Sequence, residues 1–199
     1  MAEFATAFAS TMKFEDDPQH PGKVTPEPNR CRARFGINEK FHPELPEEFW
    51  TGPADEALAQ AEEIELEQYW KPLSLDGVED QAVASKIFDM GVNMGTHQAG
   101  VLAQRAVNFL LSTSVAEPPL ARGTQQQLFI SGPQSHSAAP RLAEDGAIGP
   151  KTLEQINMMD PVDMLRALRE FSEGHYRHIA AVNPAQAVNL EGWLRRAAA

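Results

Sequence analysis

The sequence predicts a mainly α-helical protein with a short β-hairpin region and a set of C-terminal helices. Apolar residues recur at intervals of three and four through most of the chain, which is the period of an amphipathic helix. Proline and glycine concentrate in the segments between these stretches, where they break helices and mark turns. A two-residue alternation occurs over residues 30–34, which favours a short strand or hairpin there.

Composition and charge exclude several classes of protein. The 199 residues suffice for a buried core, and the 42% hydrophobic content is ordinary for a soluble globular protein. No apolar run approaches the roughly 18 residues of a membrane helix, so we expect no membrane insertion. The net charge of −11 lies entirely in residues 1–100, while residues 101–199 balance to zero. A nucleic-acid-binding protein would show a basic face, so we expect no nucleic-acid partner.

The cysteine content and the N-terminal residues bear on where the protein is made. Cys31 is the single cysteine and can form no internal disulfide, which fits a reducing compartment. Residues 1–6 lack the basic segment and the long apolar segment of a secretory signal. We therefore expect synthesis in the cytoplasm without a signal peptide.

The first predicted helix covers residues 2–15 and ends in a glutamate. Its apolar stripe consists of Phe4, Ala7, Phe8 and Met12, and Glu15 follows on or beside this stripe at the end of the helix. A carboxyl held against packed side chains is disfavoured in its charged form, which suits it to donate a proton near neutral pH. The alternative is a glutamate at a helix end that reaches solvent.

A proline-rich loop and a short hairpin follow this helix. Residues 16–34 contain four prolines, which forbid a regular helix. Arg30, Arg32 and Arg34 alternate with small residues and lead into residues 35–38, where a glycine marks a tight turn. The arginines are carboxylate partners, hydrogen-bond donors to a substrate, or solvated charges.

Two further helices are predicted over residues 53–70 and 79–95. The apolar side of the first contains Leu58, Ala61, either Ile64 or Glu65, and Tyr69. Its polar side indicates a solvated acidic face, formed by Glu62, Glu63, Glu65 and Glu67. Tyr69, near the end of this helix, is either a core aromatic or a residue that stacks on a sugar ring. Asp89 and Asn93 lie four residues apart on one face of the second and most apolar helix, so each needs a hydrogen-bond partner.

The second half of the chain contains helices around one irregular segment. A helix over residues 98–111 precedes residues 112–142, whose composition predicts a long irregular insertion. Pro150 suits the first turn of the next helix. Asp160 is an N-cap for a helix that runs towards Ile179, and residues 184–198 form a closing helix.

Several catalytic chemistries lack their sequence signatures. The chain has no His-Glu-x-x-His motif and its six histidines are scattered, so we expect no metal and no cofactor. Cys31 lacks the surroundings of a catalytic thiol, and no Gly-x-Ser-x-Gly elbow marks a serine nucleophile. Carboxylate chemistry on a helical protein remains, with Glu15 as the candidate acid.

Motifs spread over nearly the whole chain carry a resemblance. Those of the first half are residues 4–15, the loop from Asp17 to Thr25 with its Asp-Pro-x-x-Pro-Gly-x-x-Thr pattern, and residues 35–38, 69–73 and 88–95. Those of the second half are residues 145–153, 176–177 and 192–197. In this order they resemble the glycoside hydrolase family 108 muramidases, phage-type endolysins and secretion-activator lysozymes, with their C-terminal peptidoglycan-binding region.

The resemblance implies a lysozyme-like fold, with a catalytic region over residues 1–95 and a helical peptidoglycan-binding region over residues 96–199. It implies a bacteriolytic hydrolase that cleaves the β-1,4 bond between N-acetylmuramic acid and N-acetylglucosamine, with Glu15 as general acid. The candidates for the other catalytic roles are Asp17, His20 and Thr25. The candidates for substrate binding are Asp89, Asn93, Asn38 and Tyr69.

The loop after Glu15 departs from the family pattern. The family commonly continues with Gly-Gly-Tyr, whereas Asp16-Asp17-Pro18 follows here, and His20 stands where an aspartate often precedes Pro-Gly. The second catalytic group therefore stays open. Asp17 could stabilise the developing cation or orient water, and Thr25 could position a water for inversion.

Other functions stay open on the same residues. The main alternative is a non-catalytic peptidoglycan-binding or secretion-accessory protein on the same scaffold. A glycanase acting on chitin or chitosan is another, and a wall amidase or peptidase using Cys31 or histidines is a third. Because peptidoglycan lies outside the inner membrane, we expect a holin or a secretion machinery to release the protein to its substrate.

Overall fold

Most of the described chain is α-helical. The structure is a computed structural model that describes residues 1–17, 19–26, 31–114 and 141–199. Its α-helices are α1 (Phe4–Glu15), α2 (Glu47–Thr51), α3 (Ala54–Glu65), α4 (Gln81–Met94), α5 (Thr96–Ser114), α6 (Pro150–Met158), α7 (Pro161–Val182) and α8 (Leu190–Ala198). A π-helical turn covers Leu66–Trp70, and 3₁₀-helices cover Leu75–Gly77 and Pro184–Asn189. The predicted mainly α fold class with a short β region is confirmed.

A small antiparallel sheet follows α1. Its strands, in spatial order, are β1 (Thr25–Pro26), β2 (Arg32–Arg34) and β3 (Ile37–Asn38). Arg34 pairs with Ile37, so the turn between β2 and β3 consists of two residues. These are Phe35 at φ 50° and Gly36 at φ 77°, and positive φ at both positions is the geometry of a tight hairpin. The predicted hairpin is therefore present.

Two hydrophobic clusters hold the helices and the sheet together. The larger cluster combines residues from α1, α4, α5 and α7. At its centre the rings of Phe4, Trp70 and Phe88 contact one another, with centroids 5.6–5.8 Å apart. The smaller cluster joins the hairpin to α2 and α3; its members are Phe35, Ile37, Phe49, Trp50, Ala57 and Ala61. Both ends of α1 are thereby fixed, one in each part of the core.

Arg34 fastens the hairpin to its neighbours. Its side chain is buried, and its guanidinium donates to the backbone carbonyls of Gly22 (2.8 Å), Phe49 (2.6 Å) and Gly52 (3.1 Å). Arg32, by contrast, pairs with two carboxylates. Both arginines are thus used within the fold, and the hairpin is held rigidly beside the end of α1.

The helix boundaries differ from prediction in a few places. The helix predicted over 53–70 ends as an α-helix at Glu65 and continues as the π-helical turn. The closing helix predicted over 184–198 begins as a 3₁₀-helix and becomes α8 at Leu190. The predicted irregular segment 112–142 begins inside α5, and residues 115–140 of it lie outside the described residues. None of the helices within the described ranges is long and apolar enough to cross a lipid bilayer.

Candidate active site

Glu15 is the last residue of α1 and lies where this helix meets the hairpin. Its side chain is 18% exposed. Gly36, at the tip of the hairpin, approaches it so closely that a Cβ on this glycine would lie 3.1 Å from Glu15 Cγ. The turn therefore needs glycine for two reasons, its positive φ and the short distance to the glutamate.

Arg196 on α8 contacts Glu15 across 181 positions of sequence. Its Nη1 donates a hydrogen bond to Glu15 Oε1 and forms an ion pair with it, and its Nε donates to Asp89 Oδ1 at 2.8 Å. The arginine is 6% exposed, so these charge-assisted bonds lie largely out of water. The sequence placed Glu15 beside apolar side chains that disfavour its charge. The structure places it beside a cation, Arg196, with which it forms an ion pair.

Asp89 also lies near a second cation. Lys86 is one turn earlier on α4 and is buried; its Nζ lies 4.0 Å from Asp89 Oδ2 and donates to the backbone carbonyl of Arg196 at 2.7 Å. Burial lowers the pKa of Lys86 to about 8. Burial also raises the pKa of Asp89, and the charges of Arg196 and Lys86 oppose that rise. These three side chains lock α8 onto α4.

Glu65, the last residue of α3, is a third carboxyl of the cluster. Its side chain is completely buried, and neither carboxyl oxygen has a hydrogen-bond partner among the described residues. Burial raises its pKa to about 8, with repulsion from Glu15 and Asp89 adding to the rise and attraction to Arg196 opposing it. We call Glu15, Glu65, Lys86, Asp89 and Arg196 the glutamate cluster.

Asn93 lies one turn after Asp89 on α4 and connects this helix to α7 and α8. Its side-chain oxygen accepts a hydrogen bond from the hydroxyl of Tyr176 at 2.8 Å. The Tyr176 ring stacks on Trp193 of α8, with centroids 5.4 Å apart. The prediction that Asp89 and Asn93 are both hydrogen-bonded is therefore confirmed, and their partners come from the C-terminal helices.

Two grooves flank the glutamate cluster. The smaller, of about 330 Å³, is lined by Phe14, Asn93, Gly192, Trp193, Arg195 and Arg196. The larger, of about 780 Å³, runs between α1, α4 and α7 and reaches Lys86 and Asp89. Phe14 is 46% exposed and borders both grooves, and its ring centroid lies 5.6 Å from the guanidinium carbon of Arg196. The cluster therefore borders open space on two sides.

The other predicted catalytic residues lie in the exposed loop after α1 and on β1. Asp17 accepts a hydrogen bond from the Gln19 amide at 2.9 Å and lies 3.0 Å from Nδ1 of His20. The hydrogen bond with His20, followed by the amide, holds the pKa of Asp17 below its ordinary value. The hydroxyl of Thr25 donates to the Ala33 carbonyl at 3.4 Å. Within the described part of the chain, none of these side chains forms a hydrogen bond or an ion pair with Glu15.

Asn38 and Tyr69, the remaining candidates for substrate binding, have different surroundings. Asn38 on β3 accepts a hydrogen bond from the Lys40 amide at 2.9 Å, which is a local turn contact. Tyr69 packs against the larger core cluster. Burial raises its pKa, and the charges of Glu65 and Glu15 contribute to the rise. Tyr69 is thus a core aromatic that also borders the glutamate cluster.

Sequence reasoning missed the roles of three cluster residues, Glu65, Lys86 and Arg196. The prediction that Glu65 belongs to a solvated acidic face is wrong, and its spacing of four residues from the buried Ala61 is the signal that could have found it. Lys86 lies on the buried face of α4, most of which is apolar. Arg196 gave no local signal, because its carboxylate partners are 107 and 181 positions away.

Comparison with known proteins assigns both halves of the chain. Residues 11–95 match the family model described as Glycosyl hydrolase 108, and residues 124–198 match the one described as Predicted Peptidoglycan domain. The structure of SagA from Brucella abortus is similar at a TM-score of 0.55 and 17% sequence identity, over 98% of this chain and 92% of that chain. At this identity the likeness shows a shared fold. No curated protein sequence matches the chain.

These two matches define a glycoside hydrolase region joined to a peptidoglycan-associated region. More specifically, the chain contains a glycosyl hydrolase 108 domain followed by a predicted peptidoglycan domain, and the resemblance found in its sequence is confirmed. The first matched range contains Glu15, Glu65 and Asp89, and the second contains Arg196. The glutamate cluster is built from both.

Proposed function

We propose that this protein is a muramidase that cleaves the β-1,4 bond between N-acetylmuramic acid and N-acetylglucosamine, with Glu15 as its general acid. The observation that carries the proposal is the position of Glu15. It ends a helix inside the range matched by glycosyl hydrolase 108, is held by a buried arginine, and belongs to a cluster that borders two grooves. The second matched range supports peptidoglycan as the substrate.

The reaction begins with proton donation by Glu15. Its carboxyl proton passes to the glycosidic oxygen while the bond from C1 to that oxygen breaks and positive charge develops at C1. Asp17 is kept ionised by its bonds to His20 and the Gln19 amide, so it is the candidate to stabilise this charge. Water then adds to C1 and releases a proton to a carboxylate, and Thr25 is the candidate to position that water.

The grooves and the C-terminal helices have matching roles in this proposal. Trp193 and the exposed Phe14 offer ring faces to sugar rings in the smaller groove, beside the amide of Asn93. Arg196 orients the carboxylate of Glu15, and Asp89 orients Arg196 in turn. An acid that is held in the reactive orientation donates its proton more efficiently than a mobile one.

The test compares purified peptidoglycan digested by the wild type, by Glu15→Gln and by Glu63→Gln. The last variant is a matched control, because Glu63 is an exposed glutamate of α3. Mass spectrometry of the digests identifies the new reducing ends. We expect new reducing-end muramic acid from the wild type and from Glu63→Gln, and none from Glu15→Gln. Equal products from the wild type and Glu15→Gln would remove Glu15 from the mechanism.

A non-catalytic peptidoglycan-binding protein is the second candidate. The observation that favours it is the hydrogen bond and ion pair between Glu15 and Arg196, which engage an oxygen of the Glu15 carboxyl within the protein. This candidate predicts no products from any variant, together with retention of the wild type on insoluble peptidoglycan in a pull-down. Wild-type products containing new muramic acid ends would exclude it.

A further inference from the structure

The larger groove has no role in the proposed cleavage, although it begins beside the glutamate cluster. It runs along α1 and α4, which lie side by side and point in the same direction. Near the starts of these helices, the Glu3 amide donates to Gln81 Oε1 at 2.7 Å. Towards their ends, Arg196 joins Glu15 to Asp89. The groove therefore leads away from the candidate acid along two helices, and α7 forms its third wall.

The lining of the larger groove is cationic, although the net charge of the chain is −11. Among the described residues, the charged side chains that line it are Lys13, Lys86, Arg169 and Asp89. The one carboxylate, Asp89, is already bonded to Arg196 at 2.8 Å. The three cations therefore give the groove an excess of positive charge, which suits an anionic occupant.

Two of these cations have hydrogen-bond donors to spare. Lys13 is exposed, and its side chain forms no hydrogen bond or ion pair within the described ranges of the chain. Arg169 donates from Nη2 to the backbone oxygen of Ala199 at 2.8 Å. A guanidinium has five N–H donors, so this single bond leaves others for a ligand. Lys13 and Arg169 can therefore both bind a carboxylate in the groove.

The length of the larger groove matches that of a short extended peptide. Its lining on α1 extends from Ala5 to Phe14, which corresponds to about 13 Å along the helix axis at 1.5 Å per residue. An extended peptide advances about 3.3 Å per residue, so about four residues fit. The hydroxyls of Thr6, Ser10 and Ser85 line the same path and can bond to peptide groups.

Phe14 connects the larger groove to the smaller groove, where the proposed function places sugar rings. Its exposed side chain lines both grooves. In peptidoglycan the peptide stem branches from the lactyl group of N-acetylmuramic acid, so the stem and its sugar must bind side by side. Two grooves that meet at one side chain provide this arrangement, with one groove for the glycan and one for its branch.

We propose that the larger groove binds the acidic peptide stem of peptidoglycan, with Lys13 and Arg169 as the ligands of a stem carboxylate. The proposal rests on the proposed function, because it takes peptidoglycan as the substrate of the adjoining site. The two residues then determine specificity, since they favour stem-bearing glycan over chitin, which has neither the stem nor its carboxylates. Lys86 adds positive charge to the groove while it stays bonded to the Arg196 carbonyl.

The test is the binding of a disaccharide–tetrapeptide, in which N-acetylglucosamine is linked to a stem-bearing N-acetylmuramic acid, measured by isothermal titration calorimetry. This fragment lacks the bond that the proposed activity cleaves, so binding is measured without turnover. The second ligand is the same fragment with its stem carboxylates converted to neutral amides. A difference in affinity between the two fragments therefore reports recognition of the stem charge.

The variants remove or keep one positive charge at a time. Lys13→Met and Arg169→Met remove it, and Lys13→Arg keeps it. Lys151→Met and Arg166→Met are the matched controls, because both residues are exposed on helices and lie outside the groove. Circular dichroism verifies that each variant is folded.

For the wild type and the controls, we expect the acidic fragment to bind about tenfold or more tightly than the amidated fragment. Lys13→Met and Arg169→Met should each weaken binding of the acidic fragment about tenfold, as expected for the loss of a hydrogen bond to a charged group. Their effect on the amidated fragment should be smaller, and Lys13→Arg should retain most of the preference. A purely structural role for these residues would weaken both fragments by the same factor.

The outcomes separate this proposal from the proposed function. Equal affinity of the wild type for the two fragments, or equal losses for both fragments in Lys13→Met, would overturn the role of the groove. New muramic acid ends in the peptidoglycan digest would then still support the muramidase. Charge-dependent binding that Lys13→Met abolishes, without new ends from the wild type, would support the groove and exclude the muramidase.

Discussion

Replacement of Glu65 by glutamine should stabilise the folded protein by an amount that grows with pH. An ordinary glutamate has a pKa of 4.5, and burial raises that of Glu65 to about 8. Between these values the unfolded chain has released a proton that the folded chain still holds, so this residue makes the folded state less stable as pH rises. Each pH unit in this interval costs about 1.4 kcal/mol, which gives about 3 kcal/mol at pH 7 and about 5 kcal/mol above pH 8.

The free energy of unfolding from urea titrations between pH 4 and pH 9 measures this effect. We expect Glu65→Gln and the wild type to be equally stable near pH 4, because the carboxyl is then protonated in both states. Above that pH the two curves should separate steadily and become parallel again beyond pH 8. The control Glu63→Gln should follow the wild type throughout. A constant difference between Glu65→Gln and the wild type, or a variant less stable at pH 8, would refute the reasoning.

Two further substitutions test how Glu15 is held. Arg196→Met removes the cation that bridges Glu15 and Asp89. Breaking such a buried pair should lower the free energy of unfolding by about 3–5 kcal/mol at pH 7, as measured by urea titration. The loss should be smaller at pH 4, where the carboxylates take up protons. Equal losses at both pH values, or an equal loss in the exposed neighbour Arg195→Met, would contradict this account. Gly36→Ala places a Cβ 3.1 Å from Glu15 Cγ, at a residue whose φ is positive. We therefore expect the variant to be less stable by about 1–2 kcal/mol. We also expect kcat to fall about tenfold or more with little change in KM, because the glutamate is displaced. Gly149→Ala is the control, because its added Cβ meets nothing within 4 Å. If Gly36→Ala leaves kcat unchanged, the turn does not position the glutamate.

The long helices could be predicted from the sequence because each carries its own period. The helix predicted over 2–15 corresponds to α1, that over 79–95 to α4, and that over 98–111 to the core of α5. The N-cap at Asp160 is also confirmed, since its side chain accepts hydrogen bonds from two amides of the first turn of α7. The five-residue α2 was not predicted, because so short a helix shows no full period of apolar residues.

The candidate site could be predicted in part only. Glu15, Asp89 and Asn93 were found because they are polar residues on otherwise apolar helix faces, a pattern visible within one element. Glu65 shows the same pattern, but the glutamates beside it suggested a solvated face. Arg196 lies beyond any local pattern, since its contacts with Glu15 and Asp89 exist only after α8 docks on α4. One sequence shows which residues share a helix face and does not show which distant residues meet.

The glutamate cluster gives the C-terminal region a role in the candidate active site, in addition to the wall recognition that we propose for it. Without Arg196, the glutamate cluster would keep three carboxyls, those of Glu15, Glu65 and Asp89, beside the single cation of Lys86, and all four residues lie in the range matched by glycosyl hydrolase 108. Burial already lowers the pKa of that lysine to about 8, so it is a weak counter-charge at alkaline pH. The hydrogen bond from Lys86 to the Arg196 carbonyl then has a clear purpose, because it fixes the backbone that carries the compensating charge. Electrostatic balance therefore requires both matched regions in one folded unit, and the acid that we propose for catalysis is held in place by the region that we expect to bind the wall.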